Sequence, residues 1–125
     1  MIKRPLNSQF SQAVLEGRKV TTIRDNAWPV GVPIMLYNWS GAAYRTPQLD
    51  VCPVEVERVG SIHIAHDQDG NMTYAYPYGF NGVALHQTEG FASREELDNW
   101  FRPLVKRGQT ITKALMNFRR MEVKP

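Results

Sequence analysis

A small, mostly antiparallel β-barrel with helical plugs is the fold class that this sequence predicts, on three observations. Short segments of alternating apolar and polar residues recur at close spacing, as in VPIMLYNW (32–39) and DVCPVEVERVG (50–60). The run DQDGN (67–71) lies between two such segments, as a hairpin turn does. One stretch near the C-terminus, 93–104, carries a full helix signature.

In chain order, residues 7–16 place Phe10, Ala13 and Val14 near helical spacing. Asn7 or Ser8 can cap the start, and Gly17 can take the left-handed conformation that ends the helix. KVTTIR (19–24) is rich in β-branched residues and reads as a strand, and WPVG (28–31) as a turn. In 32–39 the residues Val32, Ile34 and Leu36 share one face of a strand, and 40–48 is a polar loop. Alternation resumes with Val54 and Val56 inward and Glu55 and Glu57 outward. SIHIAH (61–66) and MTYAYPYGF (72–80) then flank the hairpin turn. Ser93 and Glu96 form an S-x-x-E capping box, after which Leu97, Trp100, Phe101 and Leu104 define a helix face expected in the core. TKALMNFRRMEV (112–123) reads as a closing strand, with a helix still open for its first half.

The chain has 125 residues, 42% of them hydrophobic, enough for a core without disulfide or metal staples, and one domain spanning 1–125 is expected. Cys52 is the only cysteine, so no intramolecular disulfide can form and a cytoplasmic setting is expected. The start, MIKRPLNSQF, lacks the apolar run of a signal peptide, and no segment approaches the roughly 20 apolar residues of a membrane span. A formal charge of +3 leans mildly towards anionic partners.

Motifs exclude more chemistry than they supply. His63, His66, His86 and Cys52 are the candidate metal ligands, but residues three apart on a strand face opposite ways, so no metal site is expected. Neither a nucleophile elbow nor a phosphate-binding G-x-x-x-x-G-K-[ST] occurs. Tyr74, Tyr76, Tyr78 and Phe80 alternate, which would set their rings on one face. They either stack bases or cover one end of the barrel, and packing is the commoner use of such a cluster. In EGRKVTTIRD (16–25), Arg18 and Arg24 flank Lys19, and cationic neighbours lower a lysine pKa towards that of a base. Thr22 offers a hydroxyl for such a base to activate. In a regular strand Lys19 and Thr22 face opposite sides, so they converge only if Lys19 still belongs to the turn after Gly17.

LEGRKVTTIRD resembles the G-x-K-x-x-T-x-R signature of ASCH domains, on Gly17, Lys19, Thr22 and Arg24. TEGFASREELDNWF (88–101) is similar to the second motif of that family, with Glu89 at its acidic position, and ALMNFRRM to its closing strand. YNWSGAAYRTPQ resembles a loop of some members. The resemblance implies a barrel related to the PUA fold and a ligand that is RNA or a modified nucleoside, with no metal or organic cofactor. One branch of the family hydrolyses the acetyl amide of N4-acetylcytidine. By that resemblance Lys19 is the proton acceptor, Thr22 the nucleophile and Glu89 the proton donor, with Arg24 orienting substrate or stabilising an oxyanion. Gly90 would allow a tight turn beside Glu89, and Phe91 would shield its carboxyl. Two alternatives remain open: a ribonuclease using the same cleft, or a non-catalytic RNA-binding module. In the latter, Arg18, Lys19 and Arg24 meet phosphate while Trp39, Tyr76 or Tyr78 stack on bases. Segments 37–48 and 68–90 are longer than in the compact amidohydrolases, so the substrate stays open.

Overall fold

The computed structural model describes residues 1–122. Its elements run β1 (Ile2–Pro5), a 3-10 turn (Ser8–Phe10), α1 (Ser11–Leu15), β2 (Thr21–Arg24), β3 (Pro33–Trp39), β4 (Gln48–His66) and β5 (Met72–Ala75). They continue with α2 (Leu85–Thr88), α3 (Arg94–Phe101), a 3-10 turn (Arg102–Leu104) and β6 (Thr110–Arg120). Strands dominate and the helices are short, an α+β arrangement.

The sheet is ordered β1-β3-β4-β6-β2, with β5 beside β4. Every pairing is antiparallel except β1 with β3, which makes the sheet mixed. Among the described residues no ladder joins β1 to β2, so the sheet is open rather than closed as expected of a barrel. A side chain crosses the gap instead: Arg24 Nη2 donates to Pro5 O at 2.8 Å.

The two segments expected on either side of Gly60 are one strand, β4, which is the spine of the molecule. Its first half pairs with β3, and its second half runs between β6 and β5. A register shift between Val56 and Arg58 lets it bend, since a bulge adds local twist. Val54 and Val56 point inward as the alternation requires. The hairpin to β5 forms over DQDGN, where Asp67 Oδ1 accepts from the backbone N–H groups of Asp69 and Asn71. The closing segment is strand, not helix, over Thr110–Arg120, and the strand stops short of Met121 and Glu122. Val123, the last residue of the expected strand, lies outside the described residues.

Two apolar clusters form the core. One gathers Phe10, Val14, Trp28, Ile34, Leu36 and Met116 between α1 and the sheet, and the other packs Ile62, Ile64, Leu85, Leu97, Phe101 and Leu115 beneath α3. Phe91 packs against both, which puts the segment after α2 at their seam.

The capped helix forms as expected, with Ser93 Oγ accepting from Glu96 N, but its buried face is narrower. Leu97 and Phe101 are buried, whereas Trp100 is 40% exposed and Leu104 57% exposed. The helix is only eight residues long and ends in a 3-10 turn at Pro103, so Leu104 leaves the α-helical face. The Trp100 ring instead lies at the surface against Phe10, with centroids 5.5 Å apart. No described helix is long and apolar enough to cross a membrane.

Candidate functional site

The turn after α1 decides how Lys19 is aimed. Gly17 takes φ +77°, and the backbone N–H groups of Arg18 and Lys19 both donate to Ala13 O. Lys19 therefore belongs to the turn, and regular strand begins only at Thr21. That removes the face-parity obstacle: Lys19, Thr22 and Glu89 line one small cavity of about 150 Å³.

Glu89 arrives from the other half of the chain. It caps the C-terminal end of α2, and Gly90 follows with φ +92°. A Cβ on Gly90 would sit 3.3 Å from Lys19 Cβ and Cδ and 3.2 Å from Phe10 Cδ1, so glycine serves both the turn and the close approach. The corner is fixed by Val20 N donating to Thr88 O at 2.8 Å.

All three polar side chains are nearly sealed, with Lys19 3%, Thr22 4% and Glu89 4% exposed. Lys19 Nζ donates to Thr21 O and to Glu89 O, each at 2.8 Å, and stands 3.8 Å from Glu89 Oε1. Two N–H bonds thus go to carbonyls, leaving one proton or one lone pair uncommitted by them. Thr21 donates to Glu89 Oε2 at 2.5 Å and lies 3.0 Å from the hydroxyl of Thr88, which itself donates to Leu85 O. The carboxyl is thereby fixed in orientation. Thr22 Oγ1 accepts from Arg24 Nε at 2.9 Å. The rest of that guanidinium bonds Pro5 O and lies over Trp28, 4.8 Å from the ring centroid.

Burial pushes the Lys19 ammonium pKa below its ordinary value. The charge of Arg24 acts in the same direction, against the opposing pull of Glu89. Burial also lowers that of Arg24, which remains a cation because its reference value is so high. A buried lysine of this kind can give up its proton. A cationic donor on Thr22 Oγ1 favours the alkoxide form of that hydroxyl. The arrangement therefore offers a base, a polarised hydroxyl and a carboxyl around one void.

Three rings roof the void. Phe10, Phe91 and Trp100 meet one another at centroid distances of 5.1, 5.5 and 5.8 Å, and Lys19 Nζ lies 4.8 Å from the Phe10 centroid. The same rings line an outer groove of about 530 Å³. They form the wall between that groove and the polar cavity.

The remaining candidates lie elsewhere. Arg18 is exposed, pairs with Glu16 at 2.7 Å and lines the larger clefts instead of the small cavity. Trp39 ends β3 in an aromatic group with Tyr37 and Tyr44, and does not line the cavity. Tyr76 stacks on Phe80, and Tyr78 packs on Phe80 while donating to Leu115 O, so both rings serve packing over the second core cluster. His63 is exposed and His66 buried, on opposite faces of β4. Among the described residues no three His, Cys, Asp or Glu side chains gather as a metal site would require.

Sequence reasoning missed Thr21, Phe10 and Trp100 as parts of the site. Thr21 sits beside a residue already chosen, but only the fold shows that its hydroxyl turns to Glu89. The two rings have core-like helical spacing, and nothing local marks them as a roof. Comparison with known protein families, curated proteins and solved structures finds no match to this chain.

Proposed function

We propose that this protein is an ASCH-like hydrolase that removes an acyl group from the amide nitrogen of a modified nucleoside. The observation that carries the reading is the buried Lys19–Glu89 pair, which faces the same cavity as the polarised Thr22 hydroxyl. The mixed sheet, with Arg24 tied across its open edge to Pro5, is taken as the frame of a PUA-like barrel.

Transfer of one proton from Lys19 to Glu89 turns the ion pair into a neutral amine and a carboxylic acid, a base and an acid side by side. The Lys19 amine takes the Thr22 proton as Thr22 Oγ1 bonds to the acyl carbon, while Arg24 stabilises the oxygen before attack. The carbon–nitrogen bond then breaks, and Glu89 gives its proton to the departing amine. A water molecule, deprotonated by the Glu89 carboxylate, attacks the acyl-threonine. The acid leaves, Thr22 regains a proton from Lys19, and the starting state returns.

The cavity volume limits what enters. Sites that take whole small molecules hold about 300–1,000 Å³. A void of about 150 Å³ suits an acyl group, with the nucleoside resting in the outer groove beyond the rings. For the RNA-binding module, burial of Lys19 and the commitments of Arg24 withhold two of its three phosphate contacts. The deciding experiment compares release of acetate from N4-acetylcytidine with cleavage of a short single-stranded RNA. Deacylation without cleavage supports the proposal; cleavage alone, or neither, rejects it.

A further inference from the structure

Beyond its four polar side chains, the void beside Thr22 is lined by Ile23 and the rings of Phe10, Phe91, Trp100 and Phe101. Phe10 belongs to the first core cluster and Phe101 to the second, with Ile23 packed against the second. This part of the lining is therefore continuous with the protein interior.

Size and charge restrict what fits there. A void of about 150 Å³ with apolar walls is large enough to hold a benzene ring. An acetyl group has about half the heavy atoms of that ring, so it leaves much of the space unfilled. Unfilled apolar space forfeits dispersion contacts, whereas each methylene buried there strengthens binding about fourfold. A charged chain gains nothing comparable. Lys19 is paired with Glu89, and Arg24 is committed to Thr22 Oγ1 and Pro5 O. A carboxylate on the acyl chain would lose its hydration against the rings with no free cation to meet it.

Ile23 is placed to set the depth of this space. It follows Thr22 directly in β2, pairs with Leu115 of β6 and is only partly buried. The rings have less freedom, since Phe10, Phe91 and Trp100 pack on one another and Phe101 is 3% exposed. Entry runs through the roof, where Trp100 is the ring with most of its surface already in water.

We propose that the void is an acyl pocket selective for a branched short chain, of isobutyryl to isovaleryl size, over acetyl, with Ile23 setting the limit. An isovaleryl group has as many heavy atoms as benzene, and its branch places methyl groups against several rings at once. The selectivity rests on the reading of Lys19, Thr22 and Glu89 as deacylating machinery, and names the acyl group that they meet. The bonds made and broken are those of the hydrolysis above, and the acid released is the branched one.

The test is kcat/KM of the whole chain on cytidines acylated at N4 with acetyl, propionyl, isobutyryl, isovaleryl, octanoyl or succinyl. Isobutyryl or isovaleryl is expected to exceed acetyl by at least about tenfold, with octanoyl and succinyl below acetyl. Ile23→Phe fills the void and is expected to lower the isovaleryl-to-acetyl ratio about tenfold, while Ile23→Ala moves the optimum to a longer chain. Acetyl or succinyl as the best substrate, or a ratio indifferent to both Ile23 variants, overturns the proposal and leaves the hydrolase standing. A second readout needs no chemistry: NMR titration with isovaleramide and with acetamide. Tighter binding of isovaleramide that Ile23→Phe removes, with no amide hydrolysed, keeps the pocket's selectivity and rejects the hydrolase. Neither turnover nor a binding preference overturns both.

Discussion

Lys19 Nζ lies 3.8 Å from Glu89 Oε1 although the two residues are 70 positions apart, and neither side chain is more than 5% exposed. A buried pair of opposite charges is a poor source of stability, because desolvation cancels most of the attraction. Breaking one half of such a pair is costly.

Lys19→Met is therefore expected to destabilise the fold by about 3–5 kcal/mol, leaving Glu89 buried without its partner. Lys19→Met with Glu89→Gln should recover much of that loss, because the second change removes the stranded charge. Urea unfolding of the two single variants and the double variant measures the coupling; additive losses would contradict it.

The pH dependence follows from the lowered Lys19 pKa. Between that lowered value and the ordinary 10.5, the unfolded chain holds a proton that the folded chain has released. Stability at this site therefore rises with pH across that window and is level above it. Activity needs the one proton that Lys19 passes to Glu89, so it should fall along an alkaline limb with its midpoint below 10.5, where that proton is lost. A stability profile of Lys19→Met that keeps the same alkaline slope as wild type would show that Lys19 is not its source.

Thr22→Val should abolish acyl hydrolysis while leaving the fold intact, and Thr22→Ser should retain part of the rate because the hydroxyl survives. Thr21→Val separates the two neighbours. Thr21 has its hydroxyl on Glu89 rather than on Arg24, so its loss should lower the rate through a misplaced carboxyl without abolishing it. Full activity in Thr22→Val on the authentic substrate would reject the nucleophile.

Glu89→Gln keeps the shape of the carboxyl but cannot protonate the departing amine. A rate loss of about 10²–10⁴ with near-normal substrate affinity is expected. Steady-state kinetics decides: a change confined to KM would make Glu89 a binding residue.

Trp100→Ala should cost only about 1–2 kcal/mol, since much of the ring is already in water. Phe101→Ala, at 3% exposure, should cost about 3–5 kcal/mol. Equal losses in chemical denaturation would place Trp100 in the core after all. With the roof opened, Trp100→Ala should also change the KM for acylated nucleosides more than it changes stability.

Local chemistry was legible in the chain itself. Alternation around Val54 and Val56, the Asp67 turn, the Ser93 cap and the left-handed Gly17 each depend on a few adjacent residues, so the sequence alone placed them. Periodicity overreached at Trp100, because spacing marks a helical stripe but not how much of it another element covers. The first strand, Ile2–Pro5, was not anticipated, since four residues gain their order only from parallel pairing with β3. Lys19 and Thr22 could be singled out by residue type, and Glu89 only through the resemblance of TEGF to an ASCH motif. Their convergence could not, because it depends on the turn at Gly17 and on Val20 pairing with Thr88. Nor could the setting of Arg58 be foreseen: it meets Asn117 and Tyr78 only through a shifted register and a loop laid over Gly60. Those are contacts between distant parts of the chain, and packing decides them.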